Sequence, residues 1–230
     1  MPHRIVFAAT ALLFITNLAH AGRPLATEDA GVLAKGECEW ESFAARARDS
    51  GASAHAWATQ LACGFMSEAQ VALSFGQSRA GGSTDQSLSV NGKWGLLRGK
   101  DDEASVILAW GLVSAKSPGS GFKLGSLFLN GVLTKPLSEH WTGHLNLGWM
   151  QDRSSTPRIK ALTWNLAAEY ALGNGFEVMG EWYGAERSDA VLGAGLRWAA
   201  SKAWSLNAGY AVQTAGARGK LLSVGAKLMF

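Results

Sequence analysis

The sequence predicts an all-β protein: a transmembrane antiparallel up-and-down β-barrel of about twelve strands, with both termini on the periplasmic side. Three observations carry this. Alternation of apolar and polar residues with period two returns from Cys38 to Phe230, with no amphipathic helical stretch between. Tryptophans gather near the ends of the alternating segments, on the apolar parity. The chain holds 28 Gly and 10 Trp beside only 17% charged residues, a balance unusual for a soluble domain of 230 residues.

The elements follow in order. "MPHRIVFAATALLFITNLAHA" has a basic start (His3, Arg4), an apolar run from Ile5 to about Ile15, and Ala-His-Ala before Gly22. It reads as a cleaved signal peptide over residues 1–21, too short in its apolar part for a stable spanning helix. Residues 22–36 form an arm, either periplasmic or entering the lumen. Thr27 could also cap a short helical turn there. Residues 37–230 form the barrel. Strands are expected near 37–48, 53–65, 69–78, 85–97, 104–114, 121–134, 140–151, 159–171, 175–184, 190–199, 203–213 and 219–230. "SLSVNGKWGLL" puts Leu88, Val90, Trp94 and Leu96 on one face, and Ser87, Ser89, Asn91 and Lys93 on the other. "WTGHLNLGW", "LTWNLAAEY", "FEVMGEWYG" and "WSLNAGYAV" repeat the pattern. Asp49-Ser50-Gly51, Gly81-Gly82, Pro118-Gly119 and Gly173-Asn174-Gly175 supply turns between them.

A soluble sandwich and a membrane barrel both alternate, and the aromatics separate them. With strands running alternately outward and back, Trp94, Trp141, Trp198, Trp204 and Phe230 fall at the periplasmic edge. Trp149, Trp164, Trp182 and Tyr210 fall at the outer edge. Two rings of aromatics bounding one apolar face are the girdles of an outer-membrane barrel. Trp141 and Trp149 lie eight residues apart, roughly 20 Å of height at ordinary strand rise and tilt, close to the apolar band of such barrels.

The opposite parity lines the lumen. Its carboxylates are Glu39, Glu41, Glu169, Glu177 and Glu181; its bases are Lys93, Lys123, Arg197 and Lys227. His144, Asn146, Asn165 and Asn207 are among its neutral polar residues. Closure would set Lys227 of the last strand beside the glutamates of the first. This set reads either as a charge network that packs the interior or as a permeation path bearing both signs. Many lumen positions are Gly or Ala, which favours an open cross-section. If Ser50-Gly51 is a two-residue turn, Cys38 lies directly opposite Cys63, and an oxidising compartment makes that a disulfide.

Some classes are disfavoured. A formal charge of +3 is too small and too scattered for nucleic acid. No metal-ligand spacing and no nucleophile motif occur, so neither metal, cofactor nor catalytic residue is expected. An outer-membrane lipid-modifying enzyme is the least favoured class.

The arm carries a resemblance. Arg23-Pro24-Leu25-x-Thr27-Glu28-Asp29-Ala30, then Gly36-x-Cys38-x-Trp40-Glu41, resembles the start of the outer-membrane proteins associated with the meta-cleavage pathway of phenol degradation. That family usually carries Thr-Asp-Asp-Ala, where Glu28 replaces the first Asp. The resemblance implies passive transport of a small solute, hydrophobic or aromatic, across the outer membrane of a Gram-negative bacterium. It brings no catalytic residues. The alternative is a non-conducting structural or binding barrel whose arm engages a periplasmic partner. Other expected partners are outer-membrane lipid and, through the final strand "LLSVGAKLMF" and its terminal Phe230, the barrel-assembly machinery.

Overall fold

A computed structural model describes residues 24–49, 51–154, 157–216 and 219–230. The signal-peptide reading falls outside these residues. The described chain forms twelve strands: β1 (Cys38–Asp49), β2 (Ala52–Met66), β3 (Ala69–Ala80), β4 (Ser83–Leu97), β5 (Ser105–Lys116) and β6 (Lys123–Pro136), then β7 (Trp141–Asp152), β8 (Ile159–Gly173), β9 (Phe176–Ala185), β10 (Val191–Ala199), β11 (Trp204–Gln213) and β12 (Lys220–Met229). Every strand pairs antiparallel with its neighbours in sequence, and β12 pairs with β1 to close the barrel. Closure leaves no edge, so every strand finds its ladder partners without water.

Local chemistry explains the joints. The turn between β3 and β4 is Gly81-Gly82, both at positive φ (57° and 83°), the backbone that a tight two-residue hairpin requires. The first hairpin has the expected register, with Cys38 opposite Cys63. The two are joined by a disulfide, with Cα atoms 4.1 Å apart. Cys38 also exchanges both backbone hydrogen bonds with Phe230 (2.8 and 2.9 Å), which ties the chain's last residue into the seam. We call this end, which holds Cys38 and Phe230, the near rim, and the opposite end the far rim.

The two faces separate by parity. Leu73, Leu147, Leu162 and Leu222 stand exposed on the exterior, while Ala62, Ile107, Val132 and Asn146 are fully buried inside. Aromatics mark both ends of the exterior. Trp141 packs on Tyr170 and Phe176 stacks on Trp198 near one rim, and Trp164 meets Trp182 edge to face toward the other. Trp94, Trp204, Tyr210 and Phe230 are exposed, and Trp149 is half-buried. One outward-facing hydroxyl pair is partnered: Thr59 accepts from Trp40 Nε1 at 2.5 Å and lies 2.8 Å from Ser42 Oγ.

A bulge against Val113 and Ser114 puts Gly125 out of step in β6 and sets Lys123 opposite Ala115, on the lumen parity, where its side chain is exposed at the far rim. The glycines of the lumen wall are also not empty space. A Cβ on Gly111 would strike the Phe128 ring, one on Gly225 would strike Asn207, and one on Gly195 would strike Pro24. Small residues there admit neighbouring side chains and the arm rather than leaving a wide bore.

Candidate functional site: an arm wound along the lumen wall

The segment Pro24–Gly36 lies inside the barrel without helix or strand, so its backbone groups need partners from the wall. The lumen side chains supply them in strand order. At its base, Gly36 N–H donates to Gly64 O and Gly64 N–H donates to Glu37 O, both 2.9 Å. Leu33 N–H donates to Gln70 of β3 (2.7 Å). Lys93 of β4 donates to the carbonyls of Asp29 and Gly31 and pairs with the Glu28 carboxylate at 2.6 Å. Ala30 N–H donates to Thr134 of β6 (2.8 Å). Asn146 of β7 holds Glu28 at both ends of its amide, accepting from its N–H at 2.8 Å and donating to its C=O at 2.9 Å. Asn165 of β8 donates to Ala26 O. The Glu181 carboxylate of β9 accepts from Ala26 N–H, Thr27 N–H and Thr27 Oγ1, all within 3.0 Å. Pro24 then lies over Gly195 and Gly209 of β10 and β11.

Apolar contacts follow the same course. Leu33 packs with Ala62 and Ala72, Ala30 and Val32 with Ile107, Ala109 and Val132, and Leu25 with Ala167 and Met179. The arm is therefore a strip laid round the inner wall from β2 to β11. The N–H groups of Ala26, Thr27, Glu28, Ala30, Leu33 and Gly36 all meet wall acceptors, which is what makes burial of so polar a strip affordable.

Two other charge groups stand on the wall. Arg197 bridges Glu177 (Nε to carboxylate, 2.6 Å) and Glu169 (3.1 Å). Glu169 also lies 3.6 Å from His144, whose Nδ1 is 2.9 Å from Thr134. On the arc the arm does not cover, Lys227 pairs with Glu39 at 3.4 Å, and Glu41 is buried beside them. A cavity of about 280 Å³ opens here, lined by Glu39, Glu41, Gln60, Gln70, Lys93 and Lys227 on the wall, and by Glu28, Asp29, Gly31, Val32 and Leu33 of the arm. Toward the far rim the lumen holds an apolar cluster of Phe43, Val191, Ala211 and Leu221. Asn207 is buried against Gly225.

The lumen residues named from parity thus fall into the arm-binding set (Lys93, Asn146, Asn165, Glu181), the Arg197 group with Glu169, Glu177 and His144, and the Glu39–Lys227 pair with Glu41. Parity did not show which of them serve the arm. The apolar cluster was also missed, although β1, β10 and β12 carry apolar residues on both parities near the far rim, which is its signature.

The closed twelve-stranded barrel, with its apolar exterior and polar lumen, is similar in fold to solved outer-membrane barrels. The KdgM porin is similar at a TM-score of 0.57 and 13% identity, over 83% of this chain and 99% of that one. The NanC porin gives 0.56 and 12%, over 82% and 98%. The COG4313 outer membrane channel from Pseudomonas putida F1 gives 0.57 and 13%, over 88% and 98%. No curated protein matches the sequence. The chain belongs to the family described as "Uncharacterised conserved protein UCP029691", whose profile matches residues 9–230.

Proposed function

We propose that this protein is an outer-membrane channel, exported by a cleaved signal peptide, that lets a small solute cross passively and whose bore is narrowed by its own arm. The single observation that carries the reading is the arm strip on the lumen wall, beside an uncovered arc with a polar cavity. A barrel with lipid outside and hydrogen-bonding groups inside offers a solute replacements for water, with no covalent step. The porin and channel likenesses support the fold on which this rests. The arm's resemblance to the meta-pathway-associated proteins favours a hydrophobic or aromatic solute. The terminal Phe230 is the group we expect the barrel-assembly machinery to recognise.

Planar-bilayer recording tests the channel. The mature protein should give small events, and deletion of residues 22–36 should raise the conductance severalfold. Silence from both proteins, with no swelling of liposomes, would sink the channel reading. The apolar cluster of Phe43, Val191, Ala211 and Leu221 favours a second reading, a barrel closed at the far half that acts as a structural or binding element. That reading expects the deletion to stay silent and the intact arm to be needed for capture of a periplasmic partner.

A further inference from the structure

Charge is sorted across the barrel wall. Within the described strands every Asp and Glu lies on the lumen parity, including Asp49, Asp85 and Asp152 beyond those already named. The exterior charge of the strands is carried by basic residues. It concentrates on four adjacent strands at the far rim. Arg46 of β1 lies opposite His55 of β2, which lies opposite Arg79 of β3; Arg48 of β1 lies opposite Lys220 of β12. All five are exposed, and none takes part in an ion pair among the described residues.

Neighbouring strands run about 4.8 Å apart, so these bases form one continuous patch with no carboxylate facing outward in it. Arg46 and Arg48 lie six and eight residues beyond Trp40 on the same face. That places them roughly 15 and 20 Å above the near-rim aromatic level, at the upper margin of an apolar band about 25 Å tall. Directly below, the same strands present exposed Trp57, Leu73, Leu222 and Val224. Self-repulsion among clustered cations has to be offset by something, and a wall with cations above and an apolar floor beneath matches a ligand with phosphates above acyl chains.

We propose that this patch binds the phosphate groups of a phosphorylated, multiply acylated lipid in the leaflet around the far rim. The proposal rests on the outer-membrane reading. Phosphates would sit among Arg46, Arg48, Arg79 and Lys220, and acyl chains would lie along Trp57, Leu73 and Val224. Guanidinium groups suit this position because their forked donors meet phosphate oxygens in pairs.

The test is native mass spectrometry of the folded protein titrated with bis-phosphorylated lipid A, its dephosphorylated form, and phosphatidylglycerol. The expected result is retention of the bis-phosphorylated lipid about tenfold above either comparison lipid. The variant Arg46→Gln/Arg48→Gln/Arg79→Gln/Lys220→Gln should lose that preference, while Lys116→Gln/Lys160→Gln should keep it. If the fourfold variant does not reach the folded, heat-modifiable form, Arg46→Gln/Arg79→Gln should show a smaller fall in the same preference. Equal retention of the three lipids by the native protein, or undiminished preference in the patch variants, would overturn the proposal. Failure to enter any bilayer would overturn it together with the channel. Conductance in zwitterionic bilayers separates the remaining cases: silence there with the lipid preference intact removes the channel alone.

Discussion

Lys93 and Glu28 meet at 2.6 Å inside the lumen, and Lys93 also caps two arm carbonyls. Both side chains are largely shielded, so removing one leaves the other desolvated and alone. Loss of one partner of such a pair costs about 3 kcal/mol or more, whereas replacing both by uncharged groups of similar volume costs much less. Lys93→Met should therefore unseat the arm, raising its proteolytic cleavage in the otherwise native barrel about a hundredfold. Glu28→Gln/Lys93→Met should restore most of the protection. Equal cleavage of the native protein and Lys93→Met would show that the pair does not seat the arm. The residue types were legible from sequence, but the pairing was not. Alternation says that Lys93 points inward; it does not say that a segment some 60 positions upstream comes to meet it.

At the scale of elements, the first hairpin and the arm's base act as one unit. Gly64 follows Cys63, and a Cβ there would come within 2.5 Å or less of the carbonyl oxygens of Leu33 and Ala34. The disulfide thus clamps the hairpin at the place where the arm turns into β1. It closes a separation of 25 residues, which corresponds to about 3 kcal/mol of chain entropy in the simplest account. Non-reducing mass mapping should find Cys38 linked to Cys63, with neither alkylated in the native protein, and reduction should lower the thermal midpoint. Two alkylatable thiols in the native protein would rule the bridge out. This element was readable because a two-residue turn fixes the register of a whole hairpin. The bulge in β6 was not readable, because it is a register shift against β5 that alternation within one strand does not encode.

For the whole molecule, closure joins β12 to β1, and Phe230 contributes backbone to the seam and a ring to the exterior. Phe230→Ala keeps the backbone bonds and removes the ring. If the ring is an assembly signal, this variant should lower the amount of folded, heat-modifiable barrel in the membrane severalfold, while barrels that do assemble unfold at the native temperature. An unchanged yield would refute recognition of the ring. A lowered midpoint with unchanged yield would make its role one of packing.

The sequence by itself determined the barrel: twelve strands, their boundaries to within two residues, the faces of most of them and the facing cysteines. Period-two alternation, turn residues and strand-end aromatics are local signals, and a closed meander needs little else because each strand pairs with its neighbour in the chain. Only the tertiary structure decided what the lumen contains. The course of Pro24–Gly36 round the wall depends on Gln70, Asn146, Asn165 and Glu181 arriving from four strands at once. The gathering of Arg46, Arg79 and Lys220 outside depends on β12 meeting β1. Both arise from contacts between residues far apart in the chain, which no periodicity encodes.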